Sequence, residues 1–523
     1  MKVAGVRAST ENAPPPDFSA APPDCTLHDF RQLTADDVIT AIRLLPDKQC
    51  AADPLPTRLL KDNADLLAPF LVELFNRSLA LGVVPTVFKA ASITPLLKKS
   101  GMDPADTKSY RPISNLSVLS KLLERLVAKQ LISYLTVSDL LPDLQSAYRM
   151  NHSTETAVLR VLADILRAVD GGDLALLTLL DLSAAFDTVD HATLLRRLQS
   201  SYGLGGCVHG WFESYLRGRT QFVRCNGAAS KATGVMCGVP QGSVLGPILF
   251  LLYTADLLLL VRRHSLYPHL FADDTQIYGF CSPDATFQLQ NRLSVCINDV
   301  ADWMRSNRLQ LNTAKTEVIW CSSSRRQHQI PPASVMVGAD AIKPCRNVRN
   351  LGIYIDSDLS MRTHVARTVS ACFAALRQIK SIRRSVTRPV LTSLVVALVL
   401  TRLDYGCATL AGLPGRLLGR LQSVINAAAR LIFRSARHDH ITPLLHELHW
   451  LCIRERIDFR LAVLTFRCLH GLAPPYLASD LQLVSAVESR RRLRSADRQQ
   501  LVVPSSNRKT IGDRTFTVAA PRV

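Results

Sequence analysis

The stretch Leu270-Phe271-Ala272-Asp273-Asp274-Thr275-Gln276-Ile277-Tyr278 constrains the chain most, because two adjacent carboxylates stand between two short apolar, strand-prone runs. Aspartate is depleted in strands and comfortable in turns, so the stretch predicts a hairpin whose tip presents both acids to the same space. Side by side the acids repel each other, and a bound cation is the usual relief. A second run, Leu176-Leu177-Thr178-Leu179-Leu180, reads as a buried strand ending on Asp181. If Asp181 and Asp273 fall on neighbouring strands, they could hold a pair of divalent ions ~3.5–4 Å apart, the spacing that clamps attacking and leaving oxygens in phosphoryl transfer.

Such a site needs a large core and a polyanionic partner, and the composition allows both. The chain has 523 residues, 47% apolar and 20% charged, which describes a globular protein of about three domains. Its formal charge of +19 points most simply to nucleic acid. Residues 1–20 are polar and Pro-rich with no apolar core of a secretory signal. The runs Pro247 to Val261 and Pro389 to Leu400 read as too short to span a bilayer, so no membrane association is expected. Thirteen cysteines without a Cys-x-x-Cys pair suggest a reduced, intracellular compartment.

In chain order, residues 1–33 carry Pro14-Pro15-Pro16 and Pro22-Pro23 and read as a linker or disordered tail. Thr34 can cap a helix beginning at Ala35, and Leu59 to Leu81 is helical with Gly82 as its stop. Phe88 to Lys99 is strand-like, and Ser117 to about Leu135 is an amphipathic helix. Residues 155–170 and 191–200 are helical, with the Asp181 strand between them, and Gln221 to Cys225 and Ala232 to Met236 are weak strands. The loop Gly238-Val239-Pro240-Gln241-Gly242-Ser243 opens a wholly apolar helix, Ile248 to Val261. Ala285 to Arg305 is helical and Thr316 to Cys321 is a strand, so the middle of the chain is an α/β core. After Leu351-Gly352-Ile353-Tyr354-Ile355 the signal is helical to about residue 470, with basic residues flanking an apolar stripe from Leu417 to Ile432. His440, His446, His449 and Cys452 fit no zinc-finger spacing and read as part of a helical core. The tail, with Arg490-Arg491-Arg492 and Arg494, reads as polar and only partly ordered, and its arginine run is a weak nuclear address.

The order of these signals resembles a reverse transcriptase. Leu180-Asp181-Leu182-Ser183-Ala184-Ala185-Phe186-Asp187, then Gly238 to Ser243, then Phe271-Ala272-Asp273-Asp274 are similar to the successive palm motifs of that family. Tyr110-Arg111-Pro112-Ile113-Ser114, Gln145-Ser146-Ala147-Tyr148-Arg149 and Leu469-His470-Gly471-Leu472-Ala473-Pro474-Pro475 look like the flanks found in LINE-type (non-LTR) retrotransposons of the Jockey-like group. The likeness runs from about residue 35 to the end.

It implies an α/β (α+β) right-hand polymerase: an N-terminal extension and fingers over 34–172, a palm over 173–358, a helical thumb over 359–478 and a basic tail over 479–523. It also implies an RNA template, a DNA primer or target, dNTPs, and two Mg²⁺ ions, for which Mn²⁺ could substitute. Asp181 and Asp273 would ligate the ions with Asp274 as the third acid and the backbone carbonyl of Leu182 assisting, an all-oxygen set that suits Mg²⁺. Phe186, beside Ala185 in the nucleotide pocket, matches the ring that excludes a ribonucleotide 2′-hydroxyl. Gln241 and Gly242 match the loop packed on the incoming nucleotide, and Arg111, helped by Lys98 or Lys89, would meet the triphosphate. Lys315 matches a lysine that protonates or contacts the leaving pyrophosphate. Phe271, where the family usually has Tyr, would face the primer end, and Leu351-Gly352-Ile353 matches the primer-grip strand.

Fewer than ninety residues precede Lys89, too few for the endonuclease that such elements carry, and the chain stops at Pro521-Arg522-Val523 where the family often continues. The expectation is therefore an RNA-directed DNA polymerase in nucleus and cytoplasm. Its rival is a catalytically inactive or host-adopted remnant that binds nucleic acid. Nothing in the residues bears on oligomeric state.

Overall fold

Leu174–Leu180 is a strand with six of its seven residues buried, and it takes the centre of a four-stranded sheet. Its neighbours are Asp274–Cys281 on one side and Glu317–Cys321 on the other, with Tyr267–Phe271 at the edge beyond Asp274–Cys281. All three pairings are antiparallel. The computed structural model describes residues 2–47, 53, 55–99, 101–225, 227–338, 340–486 and 500–523. They divide into two compact units, each assembled from three stretches: Met1–Tyr148, Leu182–Leu260 and Asp299–Asn312 in one, and Arg149–Asp181, Val261–Asn298 and Thr313–Val523 in the other. Residues of the expected palm segment thus contribute to both.

In the second unit one face of the central sheet is covered by the helix Thr154–Gly171. Ser153 and Thr156 close a capping box at its start, and Gly172, left-handed at φ 110°, stops it. Val161, Leu162, Ile165 and Val169 pack with Ala175, Leu177, Tyr278 and Ile319 in one buried cluster. At about 1.5–3 kcal/mol per large apolar side chain removed from water, this contact fixes the strand's register, since a one-residue slip would turn that set to the other face. Glu155, at the helix start, is buried and satisfied: Arg460 donates to it at 2.7 Å and the Ala408 amide at 3.0 Å. It ties the helix to Ile453–Leu469 and to the turn Cys407–Leu410. The helices Arg362–Ile382 and Gly415–Phe433 belong to the same helical part, the latter burying Leu417, Leu421, Val424, Ile425 and Ala428 as its stripe predicts.

The first unit has a five-stranded sheet in which Ala90–Leu97 pairs antiparallel with Tyr110–Asn115 and parallel with Thr220–Cys225. Beside it lie the helices Val118–Val137 and Leu245–Thr254. Leu245–Thr254 begins in the interior with no side-chain cap of its own. The buried Glu124 carboxylate supplies the missing acceptor, taking the Val244 and Leu245 amides at 2.8 and 3.0 Å.

Several expectations need correction. Residues 1–33 are not a frayed tail: Lys2–Thr10 is a helix with Val6 and Thr10 buried, the Ala21 amide bonds to Ser200, and Leu27 bridges Leu204. Asn63 breaks the run from Leu59 to Leu81 into Thr57–Asp62 and Ala64–Leu81. The C-terminal segment is packed, with Phe516, Val518 and Ala520 buried and Asp170 accepting the Asn507 and Arg508 amides. The arginine run at 490–494 lies outside the described residues. Residues Leu245–Arg263 form a stretch of 19 residues long and apolar enough to cross a membrane by length and composition, longer than expected, although 67% of its most apolar window is buried inside the protein. Leu351-Gly352 is the two-residue turn of a hairpin between Asn347–Asn350 and Ile353–Asp356, not the start of a strand. Both residues have positive φ, 45° and 88°, the backbone that such tight hairpins require.

Candidate active site

Sheet register brings the three acids together in the second unit. Leu180, the last residue of its strand, pairs with Thr275, and Phe271 pairs with Asp274. Asp181, Asp273 and Asp274 therefore share one end of the sheet. The hairpin closes through Ala272 and Asp273, with Ala272 at φ 57°, a conformation that costs a residue bearing a Cβ about 1–3 kcal/mol and tends to persist at functional sites.

The chemistry of that end follows from crowding. The Asp274 carboxyl keeps an open side to solvent, yet partial burial, then the Asp273 and Asp181 carboxylates, push it up to about 6, with Lys315 pulling the other way. Lys315, in the turn Thr313–Lys315 before the Glu317–Cys321 strand, places its ammonium 3.0 Å from Asp181 Oδ2. With the lysine two-thirds exposed, the pair is worth at most about 1 kcal/mol and is easily rearranged. Among the described residues no three acidic, imidazole or thiol groups already form a coordination shell. The donor set nevertheless fits a hard cation: it is all carboxylate, it repels itself, and a divalent ion relieves that repulsion better than one ammonium does.

In the first unit, Leu182 is buried and forms a bridge with Leu311, and the Ser183 amide bonds to Gln310. Ala184 at φ 53° turns the chain into the short helix Ala185–Thr188. Ala185 is buried, while the half-buried Phe186 ring stacks on Phe250 at 4.5 Å. The loop from Gly238 is pinned to this turn. The Val239 amide bonds to Phe186 O at 2.8 Å, the Gly238 amide to Val189 O at 2.7 Å, and Gln241 Nε2 to Asp187 Oδ1 at 2.9 Å. On its other side Gln241 O accepts the Ser114 amide at 2.7 Å. Gly242 is at φ +123°, and a Cβ there would lie 2.5 Å from Ser114 O, so only glycine fits. Three of the expected nucleotide contacts, Phe186, Gln241 and Gly242, are thus one hydrogen-bonded assembly. Arg111 lies exposed on the Ser114 strand, and Lys98, beyond Leu97 on the paired strand, donates to Lys108 O at 2.7 Å. Lys89 instead bonds Ser214 Oγ at 3.2 Å.

Back in the second unit, Phe271 is the half-buried last residue before the acidic turn. The Tyr405 hydroxyl donates to Leu351 O at 2.6 Å and its ring lies over Gly352, 3.0 Å from where a Cβ would stand. Sequence reasoning missed three residues that hold these parts: Asp187, Glu124 and Tyr405. Asp187 sat within a quoted motif, but nothing in its spacing announced a bond to Gln241. Glu124 and Tyr405 carried no signal at all, being single polar residues in helical text.

Residues 97–355 match the family described as "Reverse transcriptase (RNA-dependent DNA polymerase)". The chain is 30% identical over 359 residues to the probable RNA-directed DNA polymerase from transposon BS of Drosophila melanogaster, covering 67% of this chain and 39% of that protein. It is 29% identical over 347 residues to the RNA-directed DNA polymerase from mobile element jockey of Drosophila funebris, covering 65% and 36%. With the probable polymerase from transposon X-element of Drosophila melanogaster the identity is 29% over 372 residues, covering 69% and 40%. The chain spans about two-fifths of the length of these relatives. Reverse transcriptases generally use divalent metal ions. Through residues 97–355, in a mixed helix-and-sheet polymerase fold, this chain belongs to the reverse transcriptase family, and its likeness is to the polymerases of non-LTR retrotransposons.

Proposed function

We propose that the chain is an RNA-directed DNA polymerase of a non-LTR retrotransposon, extending a DNA primer on an RNA template with dNTPs. The observation that carries the reading is the convergence of Asp181, Asp273 and Asp274 at one sheet end, where partial burial and then the two neighbouring carboxylates push the Asp274 carboxyl up to about 6.

In this reading the three acids, with the Leu182 carbonyl, hold two Mg²⁺ ions, and Mn²⁺ is an acceptable substitute by the same all-oxygen chemistry. When bound, the ions lower the pKa of the attacking 3′-hydroxyl and neutralise charge on the leaving pyrophosphate. The residues of the chain supply position and charge. Arg111, and less directly Lys98, offers cations to the triphosphate, Phe186 presents its ring edge against a 2′-hydroxyl, and the Gly242 backbone lets the nucleotide approach closely. With Asp181 engaged by a cation, Lys315 would be free to turn its ammonium to the pyrophosphate, as an acid or a counter-charge. Phe271 and the Leu351-Gly352 turn contact the primer. The boundaries of fingers, palm and thumb at 34–172, 173–358 and 359–478 belong to the same reading, as does an intracellular location in nucleus and cytoplasm.

Primer extension on an RNA template with dNTPs and Mg²⁺ tests it. Extension that disappears in Asp273→Ala while nucleic-acid binding survives supports the assignment. A folded wild-type protein that binds template and primer yet never extends would overturn it in favour of a binding remnant.

A further inference from the structure

Away from the acids, the second unit contains a cavity of about 1180 Å³, and eight of its sixteen lining residues are cations. Arg325 and Arg326 reach it from the turn Ser324–Gln329, Arg362 from the first residue of Arg362–Ile382, and Arg416 and Arg420 from the first turns of Gly415–Phe433. Arg508, Lys509 and Arg514 come from the C-terminal segment. Against these eight cations the lining holds one carboxylate, Asp358. Arg326 and Arg508 are partly engaged, donating to the carbonyls of Gly172 and Val169.

Arg514 carries the argument. Only 8% of it is exposed, one nitrogen donates to Leu359 O at 2.6 Å, and its Nε and Nη2 have no hydrogen-bond partner. Burial pulls its pKa down to about 10, so it is still a cation at neutral pH. Asp358 gives it Coulombic support, yet a buried guanidinium with two unmade donors stays costly unless an acceptor completes it. The helix Gly415–Phe433 adds to the same field, since its first turn faces the cavity and Pro414 offers it no side-chain cap.

The position excludes the catalytic reaction as the reason for this charge. Ala175 pairs with Cys321, so the turn carrying Arg325 follows the opposite end of the sheet from Asp181. Six residue-to-residue steps lead from Ala175 to Asp181, about 20 Å at ~3.3 Å each. The cavity exceeds what one phosphate needs. Arg416 and Arg420, ~6 Å apart along one helix face, form a row suited to successive phosphates.

We propose that this pocket binds the phosphodiester backbone of a single nucleic-acid strand, at a place separate from the polymerase centre. Arg514 makes the buried contact, and Arg416, Arg420 and Lys509 make the exposed ones. The inference goes beyond the polymerase reading and does not require it.

The test uses the full chain and two fluorescent 30-nucleotide probes, one RNA and one DNA, titrated by anisotropy over a range of KCl. The variants are Arg416→Gln/Arg420→Gln, both exposed, and Arg514→Gln, with melting temperatures measured for each. The double variant is expected to bind about tenfold more weakly at moderate salt, with its log K against log salt slope flatter by about 1.4, or ~0.7 for each phosphate that is no longer neutralised. Weaker binding of either probe names the strand bound; unchanged affinity and slope on both, in variants that melt with wild type, overturn the proposal. Should tripolyphosphate raise the melting temperature of wild type but not of the variants while probe binding is unchanged, the pocket serves a small polyphosphate and the strand proposal falls. Asp273→Asn serves as the control. If wild type fails to extend primers but the pocket variants still weaken binding, the polymerase reading fails alone.

Discussion

Replacing Gly242 by alanine isolates the assembly that joins the Phe186 turn to the Ser114 strand. A Cβ at this position would sit 2.5 Å from Ser114 O, whereas ordinary contact begins near 3.4 Å, so the loop must retreat by about 0.9 Å. The backbone at φ +123° costs any residue with a Cβ about 1–3 kcal/mol, and disturbing the 2.7 Å Ser114–Gln241 bond adds about 1 kcal/mol. A total of about 2–4 kcal/mol corresponds to a fall in melting temperature of roughly 5–15 °C for units of this size. Gly218→Ala is the control, because φ there is +69° but nothing lies within 4 Å of the added carbon. Thermal unfolding followed by circular dichroism should separate the two variants. In primer extension, Gly242→Ala should raise the dNTP KM by about tenfold or more, as expected when a positioning loop moves by nearly 1 Å. If Gly242→Ala melts no lower than Gly218→Ala and keeps the wild-type KM, the loop is neither tightly packed nor part of the nucleotide site.

Phe186→Val should permit ribonucleotide incorporation on the same template, because the ring stacked on Phe250 is the proposed barrier to a 2′-hydroxyl; unchanged discrimination against rNTPs would remove that role. Lys315→Met should leave folding intact, since its bond to Asp181 is exposed, but slow single-turnover extension; a variant with wild-type rates would make the lysine a bystander. His364 is buried and its pKa is lowered to about 4, mainly by burial, so the neutral ring stabilises the fold fully above its unfolded value of about 6.5. That contribution, up to about 3 kcal/mol, should be lost as pH falls from 6.5 through 4, and His364→Gln should flatten the acid limb of a melting-temperature profile. An identical acid limb in the variant would contradict the assignment.

What the sequence disclosed and what it hid follow from the range of the interactions. The Leu174–Leu180 strand, the Thr154–Gly171 helix and the Gly415–Phe433 stripe were legible because each buries one face with its own period. The acids were legible because aspartates at strand ends leave few other readings. The antiparallel order of the sheet was not, since it depends on pairing Leu174–Leu180 with strands more than ninety residues away. Local signals also missed the packing of both termini, which rests on the Leu27–Leu204 bridge and on Asp170 holding Asn507 and Arg508. The Leu351-Gly352 turn was misread because leucine rarely adopts positive φ, and here the Tyr405 hydroxyl helps to hold it.

The central claim is that Asp181, Asp273 and Asp274 jointly hold the ions of polymerisation. Crystals grown with primer, template, an unreactive dNTP and Mn²⁺, recorded at the manganese absorption edge, examine it directly. The account predicts anomalous peaks within about 2.0–2.3 Å of carboxylate oxygens from both Asp181 and Asp273, and their disappearance in Asp273→Asn. Peaks bound only to the nucleotide, with Asp181 still paired to Lys315, would contradict it.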